Sequence, residues 1–310
     1  MSSVLAILGP TASGKSALAL ALAERIGGEI VSCDSTAVYR GFDIGTDKVP
    51  LAGRRDIPHH LIDVADPSEE YTAARYAREA ADTIRAILAR GRRPIIVGGT
   101  GFYYRALTRG LFPGPGRDLV LRARLDASAQ RRGVEWLWRM VRRVDPESAR
   151  RIQPRDRVRL VRALEVYFLT GRPLTEHFAD TRPPLDFCEV TAMALRLPAE
   201  LTSSRVARRV GQQFDGGLMD EVRGLLQRGV LPTAHPFGGL VYRQALELLE
   251  GVRDEAATRA LIAQENRRYA RRQLIWFRKE PNLQWFDGPG ESAEVLSQVE
   301  GALATARSPA

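Results

Sequence analysis

A glycine-rich segment near the start of the chain has the spacing of a phosphate-binding loop. Its sequence follows the pattern Gly-x-x-x-x-Gly-Lys-Ser. In such a loop, glycines let backbone N–H groups turn toward phosphate oxygens, and the next helix adds positive potential at its N-terminus. A lysine ammonium neutralises the outer phosphate, and a serine hydroxyl binds Mg2+. We predict a phosphate loop formed by Gly9, Pro10, Thr11, Ala12, Ser13, Gly14, Lys15 and Ser16, with Ser16 as the metal ligand.

The surrounding sequence supplies the strand and the helix that this loop requires. Residues 4–8 are apolar and suit a buried strand, and residues 15–25 are rich in Ala and Leu, which favours a helix. A second short strand, residues 29–32, delivers Asp34 to the sheet edge where the phosphates would lie. Asp34 is therefore a candidate functional carboxylate. Its role is open at this point, because a kinase would use such a group to bind Mg2+ or the substrate.

A second glycine-rich turn follows another predicted strand. Residues 94–97 are apolar, and Gly-Gly-Thr-Gly comes directly after them at residues 98–101. Ligands of parallel sheets bind beyond the carboxyl ends of the strands, so Thr100 is expected to face the same phosphates as Lys15. The alternative is a turn in which Thr100 only caps the next helix.

Alternating short strands and helices predict a parallel sheet with helices on both faces. Apolar residues recur at helical spacing over residues 71–90, and residues 187–197 have the pattern of a strand that returns to the sheet. We predict an α/β fold with a P-loop NTPase-like core formed by residues 1–113 and 185–310. Further helices are expected over residues 199–228, 244–250 and 265–279, with a frayed tail over residues 304–310.

The segment between the two parts of the core is rich in arginine. Residues 113–116 read Pro-Gly-Pro-Gly and mark its start, and residues 114–184 are predicted to form an all-helical insert domain. Residues 117–182 contain sixteen Arg, no Lys and nine acidic residues, a net charge of +7 in a chain whose net charge is +9. Arg159 and Arg162 lie on the polar side of one helix. A solvated helix face is the alternative, but the density of arginines without matching acids favours contact with RNA.

Composition excludes several other classes of protein. The apolar run at the start has five residues, so neither a signal peptide nor a transmembrane helix is predicted. The two cysteines, Cys33 and Cys188, form no Cys-x-x-Cys pair, which argues against a disulfide framework and a zinc site. We expect a cytoplasmic protein without a membrane partner, and, because no feature indicates an obligate oligomer, a monomer.

Six segments of the chain, taken in order, resemble the tRNA dimethylallyltransferases (isopentenyl-tRNA transferases, the IPP transferase family). After the phosphate loop, residues 34–46 read DSTAVYRGFDIGT, which is similar to the Asp-Ser, Val-Tyr-Arg-Gly and Asp-Ile-Gly-Thr motifs of that family. The other four segments are HHLIDVADP at residues 59–67, GGTGFYYRAL at 98–107, RLVRALEVY at 159–167 and RRYARRQLIWFR at 267–278. The resemblance covers nearly the whole chain.

The resemblance implies a reaction. A dimethylallyl group would pass from dimethylallyl diphosphate to N6 of the adenosine just 3′ of the anticodon in tRNA, and pyrophosphate would leave. The loop N–H groups, Lys15, Thr100, an arginine and Mg2+ would stabilise the negative charge on the departing diphosphate. Asp34 would act as the base, because the adenine amine has to lose a proton as the new C–N bond forms.

The family's pyrophosphate-binding arginine matches Arg209 here. The match is counted back from Gly217-Leu218, and Arg205 and Arg208 are close enough for a register error to exchange them. The implied catalytic residues are therefore Asp34, Thr100, Arg209 and Lys15.

The same resemblance implies which residues contact tRNA. The target adenosine is stacked in the anticodon loop and has to swing out to react. The matching positions are Asp34, Ser35, Thr36, Ala37, Thr100, Arg122, Val158, Arg159, Leu160, Val161, Arg162, Gly238, Gly239, Leu240, Val241, Tyr242 and Arg243. Three positions depart from the family pattern: Ala37 stands where many members have Gln, Val241 replaces a Gly, and Asn266 replaces a Thr.

Three other functions compete with tRNA prenylation. A small-molecule kinase would have the same loop, but a lid rarely needs so much excess positive charge. A prenyltransferase acting on AMP, as in plant cytokinin synthesis, would share the chemistry, and the basic insert favours tRNA over AMP as acceptor. An RNA-binding module with a vestigial phosphate loop is disfavoured because Lys15, Ser16, Asp34 and Thr100 are all present.

Overall fold

Six parallel strands form one sheet in the computed structural model, which describes residues 3–305. Their order across the sheet is β3-β2-β4-β1-β5-β6. Every neighbouring pair is parallel, so all carboxyl ends lie along one edge. The α/β fold expected from the sequence is confirmed. The strands are β1 Ser3–Leu8, β2 Gly28–Cys33, β3 His59–His60, β4 Arg93–Gly98, β5 Glu189–Arg196 and β6 Leu283–Asp287.

Helices cover both faces of the sheet, and the central strands β1, β2 and β4 are accordingly buried along most of their length. Helix α1 (Lys15–Ile26) packs with the last helix of the chain against a cluster that includes Ile7, Ile95 and Leu195. Helix α2 (Ala73–Ala89) packs against β2 and β4, and its buried side chains lie outside that cluster. Helix α3 (Gly101–Arg109) follows β4 directly.

The chain divides into two compact units. The first comprises Met1–Thr108 and Pro184–Ala310, and the second comprises Arg109–Pro183. The sequence prediction had placed the divisions after residues 113 and 184. The roles assigned to the two units, diphosphate binding and tRNA binding, stay predictions.

The second unit is helical. Leu137, Val141, Leu160 and Leu164 are fully buried in its own apolar core. Its charged residues include one fully buried acid, Glu165, whose side chain lies on α7. The helices are α4 Leu119–Arg132, α5 Val134–Val144, α6 Pro146–Arg151, α7 Arg157–Thr170 and α8 Leu174–His177.

Two helix boundaries in the returning part of the core differ from the prediction. Residues 240–243 were expected before a helix, but they form its first turn. The helix predicted over residues 265–279 begins ten residues earlier, because Asp254 caps its N-terminus by accepting from Ala257 N. The helices are α9 Ala199–Asp215, α10 Leu218–Gln227, α11 Leu240–Leu249 and α12 Glu255–Phe277.

The last strand and helix, β6 and α13 (Ala293–Thr305), were not predicted. Most of the predicted frayed tail, residues 306–310, lies outside the described residues, and residues 304 and 305 belong to α13. No helix within residues 3–305 is long and apolar enough to cross a membrane.

Candidate active site

A cavity of about 610 Å³ opens at the carboxyl edge of the sheet in the first unit. It brings together parts of the chain that are far apart in sequence. The lining includes Thr11, Lys15 and Ser16 of the phosphate loop, the Asp34–Ala37 turn, and Arg209 of α9. The cavity therefore brings Lys15, Ser16, Asp34 and Arg209 together, whereas Thr100, which was expected to face the same phosphates as Lys15, is not among its lining residues.

The phosphate loop has backbone angles that require small residues. Gly9, Ala12 and Gly14 have φ angles of 155°, 63° and 87°. A side chain at Gly9 would approach Ser13 Oγ to 2.9 Å. The loop closes on itself where Ser13 N donates to Pro10 O over 3.3 Å, and α1 begins at Lys15. The first N–H groups of that helix have no partner inside it, so they are available to a ligand.

Lys15 lies within the site, and no acidic side chain within residues 3–305 forms a salt bridge with it. Its ammonium donates to Pro10 O over 3.3 Å. Burial, and then the positive charge of Arg209, lower the pKa of Lys15 to about 8, while Asp34 and Asp47 oppose the change. The free protein therefore holds two cations close together, which is an arrangement that an anion would stabilise.

One carboxylate oxygen of Asp34 is used to shape its own turn. Thr36 N, Thr36 Oγ1 and Ala37 N donate to Oδ1 over 2.9, 2.7 and 3.3 Å. No group among residues 3–305 donates to Oδ2. The carboxylate is therefore fixed in direction through one oxygen, and the other oxygen can accept a proton.

Thr100 joins this turn to the neighbouring strand. Its hydroxyl accepts from Ser35 N over 3.0 Å and lies 3.4 Å from Ser35 Oγ. The Thr100 carbonyl accepts from Tyr103 N and Tyr104 N and so begins α3. The hydroxyl points toward the Asp34 turn and does not cap the helix.

Of the three arginines on α9, only Arg209 lines the cavity. Its Nη1 donates to Thr11 Oγ1 over 2.7 Å and lies 3.1 Å from Asp47 Oδ2. Arg208 is exposed, and Arg205 donates to the Ala12 carbonyl over 2.6 Å. This placement agrees with the register that matched Arg209 to the pyrophosphate-binding arginine, although its role stays a prediction.

Asp47 and Gln273 are among the residues of the site that were not predicted. Asp47 lies beside Arg209 and accepts from Gln213 over 3.1 Å, and burial raises the pKa of Asp47 to about 6 against the opposing effect of Arg209. Gln273 on α12 accepts from Thr11 N and donates to Gly99 O, both over 2.9 Å, so it joins the two glycine-rich turns. Gln273 is four residues after Tyr269 on the same helix face, and Tyr269 also lines the cavity, so helical spacing was the signal that could have indicated Gln273. No feature of the sequence indicated Asp47.

Tyr242, one of the residues predicted to contact tRNA, is 2% exposed. Its hydroxyl donates to Glu221 over 2.6 Å and accepts from Gly45 N over 3.0 Å. Glu221 also accepts from Asp43 N and Ile44 N. Tyr242 therefore shapes the 43–47 loop, and its buried neighbour Val241 is 7% exposed. The rest of this predicted segment also borders the cavity: Gly238, Gly239, Leu240 and Arg243.

The predicted tRNA residues of the second unit differ in exposure. Val158 and Arg159 are exposed, whereas the side chains of Leu160 and Val161 are buried in the helical core. A side-chain contact from these two is therefore excluded in this conformation.

The expectation that the arginines of the insert lack matching acids is wrong for Arg122 and Arg162. Arg122 and Arg162 both bind the buried carboxylate of Glu165, with N–O distances of 2.7 Å. Arg159 lies 3.5 Å from Asp156 and keeps 71% of its side chain exposed. Burial raises the pKa of Glu165, but the hydrogen bonds from Arg122 and Arg162 outweigh it and lower that pKa to about 2. Arg122 and Arg162 therefore stabilise the fold of the second unit by binding Glu165.

A phosphate loop that faces a fixed carboxylate and two cations in one cavity defines a group-transfer enzyme of the phosphate-loop α/β class. The family model described as IPP transferase matches residues 37–280. The chain therefore belongs to the IPP transferase family.

Individual relatives agree with this assignment. A Solibacter usitatus protein named tRNA dimethylallyltransferase is 49% identical over 295 residues, which cover 94% of this chain and 95% of the relative. The crystal structure of the full-length tRNA isopentenylpyrophosphate transferase from Bacillus halodurans is 34% identical, with a TM-score of 0.72 over 98% of this chain and 96% of that one. A eukaryotic dimethylallyltransferase acting on tRNA has a TM-score of 0.81 at 25% identity, covering 99% of this chain and 79% of that chain.

Proposed function

We propose that this protein transfers a dimethylallyl group from dimethylallyl diphosphate to N6 of the adenosine just 3′ of the anticodon in tRNA, with release of pyrophosphate. Relatives that match nearly the whole chain are named tRNA dimethylallyltransferases. The observation that carries the proposal is the cavity in which Asp34 faces the phosphate loop, Lys15 and Arg209. A diphosphate leaving group and a proton-accepting carboxylate belong in one site for this reaction.

The diphosphate would lie on the loop. Breaking the C–O bond leaves negative charge on the diphosphate, and groups already directed at it lower the barrier most. The N–H groups at the start of α1, the Lys15 ammonium and the Arg209 guanidinium are such groups. Thr100, which is hydrogen-bonded to Ser35, would act by fixing the turn that bears Asp34.

Asp34 would accept the proton from the adenine amine. The amine is a weak nucleophile because its lone pair is delocalised into the ring, and it becomes acidic only as the new bond forms. The hydrogen bonds to Oδ1 fix the carboxylate plane, so Oδ2 is the oxygen that would accept the proton. Positioned proton transfer of this kind accelerates reactions about 10²- to 10⁴-fold.

The donor groups present fit Mg2+. The hydroxyl of Ser16 is exposed at the start of α1, and a hydroxyl together with diphosphate oxygens is the hard-oxygen set that Mg2+ prefers. Within residues 3–305, no cluster of three His, Cys, Asp or Glu side chains forms a separate metal site. Ser16 would therefore hold the ion together with the substrate, and the ion would supply charge stabilisation for the leaving diphosphate.

The tRNA would bind through its anticodon stem-loop. The turn over residues 34–37 borders the cavity and would receive the extruded adenosine, and exposed arginines such as Arg159 would contact phosphates. We propose that the protein acts as a monomer in the cytoplasm, where a tRNA substrate is found.

The test is an incubation of the purified protein with labelled dimethylallyl diphosphate, Mg2+ and unmodified tRNA, run beside AMP and beside ATP alone. We expect label at N6 of the adenosine that follows the anticodon. Label in AMP alone would instead make the protein a cytokinin-type enzyme. Consumption of ATP without label in either acceptor would make it a kinase and overturn the proposal.

A further inference from the structure

Two consecutive carbonyl groups of the phosphate loop are held from outside the cavity. The Nε atom of Arg205 donates to Ala12 O over 2.6 Å, and the backbone N–H of Gly290 donates to Ser13 O over 3.0 Å. A phosphate loop binds its ligand with N–H groups, so its carbonyls have to point away from the ligand. These two contacts stabilise that orientation.

The contacts come from segments that are remote in sequence and coupled to each other. Glu291 binds the guanidinium of Arg205 through both carboxylate oxygens, the longer contact being Nη2 to Oε2 at 3.1 Å. The Arg205 side chain is only 15% exposed. Burial would raise the pKa of Glu291, but the Arg205 hydrogen bonds lower it below its ordinary value, so the carboxylate is charged at neutral pH.

The phosphate loop and the segment around Gly290 pack closely at this point. A side chain at Gly14 would come within 2.2 Å of Glu291 Oε2 and 2.6 Å of Gly290 N. Ala12, which precedes it by two residues, has a left-handed φ of 63°, a conformation that costs an L-residue about 1 kcal/mol or more unless its surroundings impose it. The loop therefore needs an external support, and the segment between β6 and α13 contacts it directly.

We propose that Glu291 and Arg205 are positioning residues for the diphosphate: Glu291 orients Arg205, and Arg205, together with Gly290, holds the loop carbonyls outward so that the loop N–H groups face the ligand. Neither side chain lines the cavity. This inference rests on the proposed function, because it assigns the diphosphate of the prenyl donor to the loop.

The test compares two acids of the C-terminal segment that each bind one arginine. Glu291→Ala removes the partner of Arg205. Glu300→Ala, the matched control, removes the partner of Arg25 on α1, which does not touch the phosphate loop. The readouts are the Kd for inorganic pyrophosphate with Mg2+, the KM for dimethylallyl diphosphate and kcat, and amide hydrogen exchange over residues 9–16. Thermal unfolding verifies that each variant is folded.

For Glu291→Ala we expect the pyrophosphate Kd and the KM for dimethylallyl diphosphate to rise about tenfold, as for loss of a charged hydrogen bond. The affinity for tRNA should not change, and exchange over residues 9–16 should become faster. Arg205→Lys, which keeps the charge but cannot bind both the carbonyl and the carboxylate in this way, should have an intermediate effect.

Glu300→Ala should leave the affinity and the exchange as in the unmodified protein. If Glu291→Ala and Glu300→Ala have the same pyrophosphate affinity and the same exchange over residues 9–16, the inference is overturned. Pyrophosphate binding is measured without tRNA, so this result is separate from the transfer assay. Failure of the unmodified protein to transfer the prenyl group would instead reject the proposed function.

Discussion

Arg205 and Arg209 are one turn apart on α9 and contact consecutive residues of the phosphate loop from different sides. Arg209 donates to the Thr11 hydroxyl and lines the cavity, whereas Arg205 donates to the Ala12 carbonyl and binds Glu291 outside it. A helix presents residues four apart on the same face. One face of α9 thus contacts the phosphate loop both inside the cavity, through Arg209, and outside it, through Arg205.

Loss of Arg209 should weaken the binding of the diphosphate. Arg209→Ala removes from the cavity a cation that would bind the diphosphate. We expect the KM for dimethylallyl diphosphate to rise about tenfold or more, which corresponds to one charged hydrogen bond. Steady-state kinetics give the result. Arg208→Ala is the control, because that side chain is exposed. Equal effects of the two variants would show that the assigned register is wrong.

Replacement of Asp34 should separate binding from chemistry. Asp34→Asn keeps the Oδ1 acceptor for the N–H groups of residues 36 and 37, so the turn is preserved, but the amide cannot accept the proton. We expect the rate of transfer to fall about 10²- to 10⁴-fold, while the Kd for dimethylallyl diphosphate stays within about a factor of three. Single-turnover transfer and equilibrium binding measure the two quantities. Near-normal transfer by this variant would rule out Asp34 as the base.

Binding of the diphosphate should depend on the protonation of Lys15. The pKa of Lys15 in the free protein is about 8, lowered first by burial. Below that pH the ammonium is charged and binding is strongest. Above it, the side chain has to take up a proton when the anion binds, so the Kd should rise up to about tenfold per pH unit. The diphosphate itself stays ionised, since its last pKa is near 6.

Calorimetric titration with dimethylallyl diphosphate from pH 7 to pH 9.5 measures this dependence. Lys15→Met removes the titrating group, so the variant should bind more weakly and without the step near pH 8. A step of the same size in the variant would assign it to another group.

Two arginines on α7 should respond differently to substitution. Arg159→Ala should weaken tRNA binding and reduce the slope of log K against log salt by about 1, because an exposed guanidinium that contacts a phosphate is lost. Arg162→Ala should mainly lower the free energy of unfolding, by about 2 kcal/mol, because it removes a charged hydrogen bond to the buried Glu165. Filter binding at several salt concentrations and urea unfolding distinguish the two effects. An unchanged slope for Arg159→Ala would argue against this helix as an RNA surface.

Much of the fold could be predicted because the decisive signals are local. The strand–loop–helix unit around residues 9–16 is encoded by an apolar run, glycines at set spacing and an Ala/Leu-rich stretch, all within twenty-five residues. Asp34 and Thr100 follow predicted strands, and the carboxyl ends of parallel strands meet at one edge. Their proximity, seen in the hydrogen bond between Thr100 and Ser35, needed no tertiary information.

Only the tertiary structure decided which charged residues are available to a ligand. Arg122 and Arg162 look like surface cations in the sequence, but Glu165 binds both. Arg162 lies three residues before Glu165 on the same helix, whereas the contact with Arg122 depends on how α4 packs against α7. Asp47 and Gln273 line the cavity, and Glu291 supports the phosphate loop from outside it, but the sequences around these residues contain no motif for the site. The sequence by itself determined the chemistry that the phosphate loop can perform. Hydrogen bonds between residues more than a hundred positions apart decided its shape, and such contacts leave no periodic signal along the chain.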